Sequence, residues 1–300
     1  MKNKFLQGTV ILLTTSVVLR GLGFVYQMLV VRFAGTESVG ILNMSYPFYS
    51  ILIVLATAGM PVAIAKLTAE YVSRQREERI TVMMRTAFLL VGALVLCCLA
   101  VALWLMPMLF KLLETEERVK RCFFILVPGI AIVPFTSVMR GYFQGMQKML
   151  YPSLGQMAEQ LIRVTSGLAL IVWICPHDVV SLAMGLAAAA ILGELGGFLL
   201  LLGIYLHSRR RQKQGTIRAK KQPQILQALL GLGLPTTFTR LTSCVDMAIE
   251  ASLVPFCLMT VGYNASQAAG VYGQFSGVAI SLVTIPTVLT GALATALIPA

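Results

Sequence analysis

Seven ionisable side chains stand inside stretches that are otherwise apolar: Arg20, Glu159, Arg163, Glu194, Arg240, Asp246 and Glu250. A charge deep in a bilayer is costly, so such residues face a bundle interior or a hydrated cavity. Two chemistries fit the set. The guanidinium group of Arg240 can hold an anionic headgroup while Asp246 meets a different part of the cavity, and Arg20 can face a cavity as well. The carboxyls of Asp246, Glu250 and Glu194 can carry a proton or a cation. Glu159 and Arg163 are four residues apart, so they share a helix face and form a structural pair that ties the helix to a neighbour. Asp246 and Glu250 also share a face, with Arg240 six residues earlier, about 9 Å along the axis and off that face. The segment around them, LGLPTTFTRLTSCVDMAIEASLVPF, adds hydroxyls at Thr236, Thr237, Thr239, Thr242 and Ser243. A helix facing lipid would not carry this set; cavity lining and interhelical bonding both account for it. Arg20 has Gly21 and Gly23 beside it, and Glu194 has Gly193, Gly196 and Gly197. Small residues there permit close helix packing, which for Glu194 reads as a hydrogen-bonded carboxyl.

Other chemistries find no support. The two histidines, His177 and His207, offer no paired base, and the serines lack a triad context. No Walker A loop is present. The six cysteines have no metal-ligand spacing, so neither a disulfide framework nor a zinc site is indicated. No enzyme, cofactor or metal is expected.

The elements that position these residues are membrane spans. Of 300 residues, 57% are apolar and only 12% charged, and the mean hydropathy is +0.82, far from the roughly 25% charge of soluble domains. With roughly 20 apolar residues per crossing, the hydrophobic runs predict spans near 8–31, 41–65, 84–110, 122–144, 154–175, 179–206, 226–258 and 267–298. The first is read as a retained span and not a cleaved signal. Gly59, Pro61, Pro107, Pro128, Pro134, Pro235, Pro255 and Pro286 interrupt these runs, as in helices that bend.

The net charge of +12 has an address. Lys2, Lys4, Arg74, Arg76, Arg79, Lys148 and the run from Arg209 to Lys221 all fall on alternate loops. The intervening loops balance Arg32 with Glu37, and Lys111, Arg118, Lys120 and Arg121 with Glu114, Glu116 and Glu117. The positive-inside rule therefore places the N-terminus in the cytoplasm. The basic run reads as a solvated loop that also contacts anionic lipids, not as a nucleic-acid site, because no aromatic platform or recognition motif accompanies it.

The segments GFVYQMLVVRFAGTESVGILNMSYPFYSILIVLATAGMPVAIAKLTAEY, MRGYFQGMQKMLYPSLGQMAEQLIRV and VYGQFSGVAISLVTIPTVLTGALATALIPA are similar to the stage V sporulation protein B group of polysaccharide-exporter-like membrane proteins. That group belongs to the multidrug/oligosaccharidyl-lipid/polysaccharide (MOP) flippase superfamily and is related to the lipid II flippases. The resemblance implies an all-α polytopic bundle in the bacterial cytoplasmic membrane. Residues 1–208 would form a six-helix N-lobe, 209–225 a basic inter-lobe loop, and 226–300 the first two helices of a C-lobe that family members extend further. It implies alternating-access export of an undecaprenyl-pyrophosphate-linked glycan, such as a peptidoglycan precursor, with Arg20 and Arg240 at the pyrophosphate. Arg32 and Glu37 would then be gate residues, and Gly59, Pro61 and Pro235 hinges. Cell-wall synthesis proteins are candidate partners. A structural or regulatory role in cell-wall or spore-cortex assembly, and cation-coupled drug export, are the rival readings.

Overall fold

The computed structural model describes residues 2–112, 116–173, 178–211 and 223–283, and these form helices joined by short turns, with no strand among them. In order they are α1 (Lys2–Thr57), α2 (Met60–Ser73), α3 (Glu77–Ala100), α4 (Met106–Leu112), α5 (Glu117–Gly145), α6 (Leu150–Trp173), α7 (Val179–Arg211), α8 (Pro223–Thr260), α9 (Ala265–Gln274) and α10 (Ile280–Val283). A π-helical turn at Val101–Leu105 joins α3 to α4, just before Pro107, and a second at Phe275–Ala279 joins α9 to α10. A π turn leaves one backbone bond out of step, a cheap place to admit a proline that has no N–H to give.

Five helical segments among the described residues are long and apolar enough to cross a membrane: 14–73, 78–112, 117–145, 179–209 and 224–260. The first holds both the first and second expected spans. The fifth expected span, α6, is absent from this set because Gln156, Glu159, Gln160 and Arg163 lower its hydropathy. Two boundaries differ from expectation. Helix α7 runs on to Arg211 and α8 starts at Pro223, so helices enter both ends of the loop placed at 209–225. The rest of that basic run, Lys2 and Lys4 as side chains, His177, and the eighth span beyond Val283 with Pro286 lie outside the described residues.

Helix α1 folds back at Gly35, whose backbone (φ 81°, ψ 159°) lies in a region that only glycine enters without strain. Its two arms then face each other, with Val30, Ala34 and Val39 in one cluster with Leu186. The second arm ends at Ala58 and Gly59, both at positive φ, before Met60 and Pro61 restart the helix as α2.

Loops that the charge alternation assigns to one membrane face do meet. At one end Arg118 binds Glu37 at 2.7 Å and Ser38 donates to the Val179 carbonyl at 3.1 Å. Asp178 caps α7 there, and the Ser181 hydroxyl, then the Val180 N–H, hold its carboxyl below the ordinary value. At the other end Gly141 lies against Pro61, and Gly145 against Ala65 and Thr68. Between them sits an aromatic core in which Phe110 packs edge-on to Phe48 and Phe123, and Tyr205 to Tyr142.

The bend at Gly35 can be isolated from packing. A Cβ there would meet nothing within 4 Å, so Gly35→Ala should lower stability by about 1–3 kcal/mol through backbone strain alone. Gly21 is equally uncrowded but helical, so Gly21→Ala should raise stability by roughly 0.5–1 kcal/mol. Unfolding midpoints in mixed micelles titrated with SDS measure both.

Candidate functional site

A cavity of about 330 Å³ opens between the two arms of α1, α6 and α7. Arg20, Tyr26 and Gln27 reach it from the first arm, Asn43 and Tyr46 from the second, and Gln160 and Arg163 from α6. The fold at Gly35 brings the α1 residues together across the cavity, while the amphipathic character of α6 turns its polar stripe inward. Among the described residues no carboxylate lines it.

Behind this wall runs a chain of charges. Glu159 accepts from Arg140 Nη2 at 2.6 Å through one oxygen and from Arg163 Nη2 at 2.9 Å through the other. All three side chains are three-quarters or more buried, and the Nε atoms of Arg140 and Arg163 are buried without a hydrogen-bond partner. Helix α7 approaches α6 here over glycines. A Cβ on Gly193 would lie 2.7 Å from the Glu159 carbonyl, and one on Gly197 would lie 2.9 Å from the Glu159 Cβ. Elsewhere on α7, Glu194 Oε2 accepts from Tyr49 Oη at 2.7 Å. Gly129 of α5 makes the space for that pair, since a Cβ on it would collide with Tyr49 Oη and lie 2.6 Å from Glu194 Oε2.

A second constellation forms where α1 breaks. A Cβ on Gly59 would strike Thr236 Oγ1 and the Gly233 carbonyl, while one on Gly233 would lie 2.5 Å from the Ala58 carbonyl. The hydroxyls of Thr236 and Thr237 both donate to the Gly233 carbonyl, at 2.8 and 2.9 Å. Gly59, Pro61 and the turn of α8 that holds Pro235 therefore share one crossing of two interrupted helices.

The structure brings Arg20 and Arg163 to one cavity, and leaves Arg240, Asp246 and Glu250 outside it on α8. Arg240 and Asp246 are exposed and Glu250 is half-buried. Glu37 binds Arg118, which also binds Glu116, whereas the exposed Arg32 lies 6.0 Å over the Phe33 ring. The sequence pattern places Arg140 only beside a turn. It stands about 7.5 Å from the end of α5 and Glu159 about 13.5 Å from the start of α6, a difference an arginine side chain bridges. A basic and an acidic residue inside one helical hairpin are the signal that could have found the pair. Tyr49 carries none, being 145 residues from its partner.

The model of the family described as polysaccharide biosynthesis protein matches residues 5–300. Stage V sporulation protein B of Bacillus subtilis (strain 168) is 32% identical over 304 residues, covering 100% of this chain and 58% of that protein. Lipid II flippase MurJ of the same organism is 28% identical over 225 residues, covering 70% of this chain and 40% of that one. The chain thus spans less than two thirds of the length of these relatives. Among solved structures, the MATE multidrug transporter DinF-BH aligns with a TM-score of 0.79 at 12% identity, over 100% of this chain and 65% of that chain. An outward-facing MATE family transporter of the MOP superfamily aligns with a TM-score of 0.73 at 17% identity, over 98% of this chain and 63% of that one. At such identities the likeness shows the fold, a MOP-type multi-pass membrane bundle.

The Tyr49–Glu194 pair supplies a test of the buried network. Tyr49→Phe removes the donor and should cost about 1–3 kcal/mol, while Gly129→Ala should cost at least as much by forcing both side chains aside. Unfolding midpoints equal to wild type for both variants would show that the pair holds nothing together.

Proposed function

The chain belongs to the polysaccharide biosynthesis protein family, and from that premise we propose that it exports an undecaprenyl-pyrophosphate-linked glycan, a peptidoglycan or other envelope precursor, across the bacterial cytoplasmic membrane. The observation that carries this reading is the cationic cavity: an arginine in the first arm of α1, amide and phenol groups around it, and no carboxylate among the described residues of its wall. Such a surface suits a phosphate-linked anion, and guanidinium forks match phosphate oxygens.

In this reading residues 1–208 form the N-lobe, 209–225 the basic inter-lobe loop, and 226–300 the opening of the C-lobe. The N-terminus lies in the cytoplasm, and the basic loop contacts anionic lipids. Arg20 binds the pyrophosphate inside the N-lobe. Arg240 and Asp246, on the exposed side of α8, meet the substrate across the cleft that the second lobe closes, and Asp246, Glu250 and Glu194 are the candidates for ion coupling. The crossing of α1, α2 and α8 at Gly59, Pro61 and Pro235 serves as the hinge, because a break in the backbone ladder lets one segment swing without stretching helical bonds. Glu37, with Arg32 near it in sequence, gates the opposite end, where Arg118 holds it closed. Cell-wall synthesis proteins would receive the product.

Drug export is the second reading, favoured by likeness in fold to multidrug transporters. Proteoliposomes holding the protein at its natural length, loaded with a fluorescent undecaprenyl-pyrophosphate disaccharide, separate the two. The lipid should cross, and Arg20→Gln should slow it at least tenfold in protein that remains folded. Proton- or sodium-driven efflux of a cationic dye with no lipid transfer would overturn the proposal in favour of drug export.

A further inference from the structure

The cavity wall holds a second guanidinium, on α6, that the substrate reading does not use. Arg163 shares the cavity with Arg20, yet its partner Glu159 gives it a single oxygen, because the other is taken by Arg140. A guanidinium has five N–H donors in a rigid fork, and the Nε of Arg163 is buried with no acceptor. Arg140 and Arg163 share the single carboxylate of Glu159, so this buried ion-paired group carries an excess of positive charge beside the cavity that Arg20 also lines. A buried excess of positive charge in a membrane bundle asks for an anion. The cavity's volume lies at the lower end of the range of about 300–1,000 Å³ for small-molecule sites, room for a phosphate group and not for a whole lipid-linked glycan.

We propose that this cavity is a phosphate seat in which Arg163 exchanges Glu159 for an oxygen of the bound phosphate. Glu159 is the internal counter-ion of the empty state. When phosphate arrives, it stays with Arg140 while Arg163 and Arg20 clamp the ligand from two helices, with the amides of Gln160 and Asn43 as further donors. Binding thereby breaks the ion pair within α6, leaves the Glu159–Arg140 tie between α6 and α5 in place, and joins α6 to the first arm of α1 through the ligand. The inference rests on the phosphate-linked substrate proposed above, and makes Arg163 a binding residue and Glu159 a competitor for it.

The two roles have opposite signs, which a purely structural ion pair would not produce. Equilibrium binding of undecaprenyl pyrophosphate and of inorganic pyrophosphate to the protein in nanodiscs reads them. Arg163→Gln should weaken binding tenfold or more, the usual loss of a charge-assisted hydrogen bond. Glu159→Gln should tighten it severalfold. Gly23→Leu blocks the cavity without touching a charge, since a Cβ on Gly23 lies 3.4 Å from Gln160 Nε2, and should weaken binding as strongly as Arg163→Gln. Arg85→Gln, exposed on α3, should leave it unchanged. If Arg163→Gln does not fold, Glu159→Gln and Gly23→Leu decide.

Glu159→Gln weakening the binding, or Gly23→Leu binding as wild type, would overturn the seat. Binding of the lipid that ignores all three variants would overturn it while leaving the export reading intact. Pyrophosphate bound through Arg163 with no affinity for the lipid would keep the seat and remove the lipid substrate. No binding of either anion to the wild-type protein overturns the seat, and lipid transfer in proteoliposomes then judges export by itself.

Discussion

Glu159 is the carboxylate on which two guanidinium groups depend, in a bundle whose surroundings offer no water to replace it. Removing one member of such a buried set leaves a charge that lipid cannot solvate. The arrangement of α5, α6 and α7 follows from this. Arg140 must extend along α5 to reach one oxygen, Arg163 must stand one helical turn from Glu159 to reach the other, and α7 must pass close enough to shield the group from the acyl chains. That last demand is met over Gly193 and Gly197, and α6 packs along α7 more extensively than any other described pair of helices.

In lipid there is little hydrophobic force between helices, so association rests on close van der Waals contact and on interhelical polar bonds. The same division recurs across the molecule. Glycines meet backbone or polar atoms at each crossing that matters: Gly129 at Tyr49 and Glu194, Gly141 at Pro61, Gly59 at Gly233. Some bulky apolar residues, such as Trp104 and those on the exposed side of α8, stay at the surface. The bundle is held by these small and polar contacts together with the buried aromatic and aliphatic core, and its outer surface carries further apolar residues.

The cavity is a by-product of the bend at Gly35 and of the polar stripe of α6. Without the bend, the two arms of α1 could not face each other, and Arg20 would have no counterpart across a gap. Without the stripe, the gap would lose Gln160 and Arg163 and keep only the polar groups of α1. The crossing of the two interrupted helices lies on a different part of the same helix, where Ala58 and Gly59 interrupt the second arm against α8. The cavity and this crossing are therefore linked through one stretch of chain, the second arm of α1.

Hydropathy, the alternation of basic loops and the interruptions by glycine and proline determined the class, the approximate spans and their alternation, because each is a local property of a chain in contact with lipid. The spacing of four between Glu159 and Arg163 is likewise local, and the two are in contact. Motif segments carried the family, since each is a match over many residues at once and not over one glycine or proline. What tertiary structure alone decided is which distant charges meet. Arg20 and Arg240 look equivalent in sequence, each a lone arginine in a span, yet one lines the cavity with Arg163 and the other is exposed on α8. Glu194 finds Tyr49, and Arg140 shares Glu159 across a hairpin. The reason is geometric: helical period assigns a residue to a face, but which face is turned to which neighbour depends on the bend at Gly35 and on where glycines allow two backbones to touch.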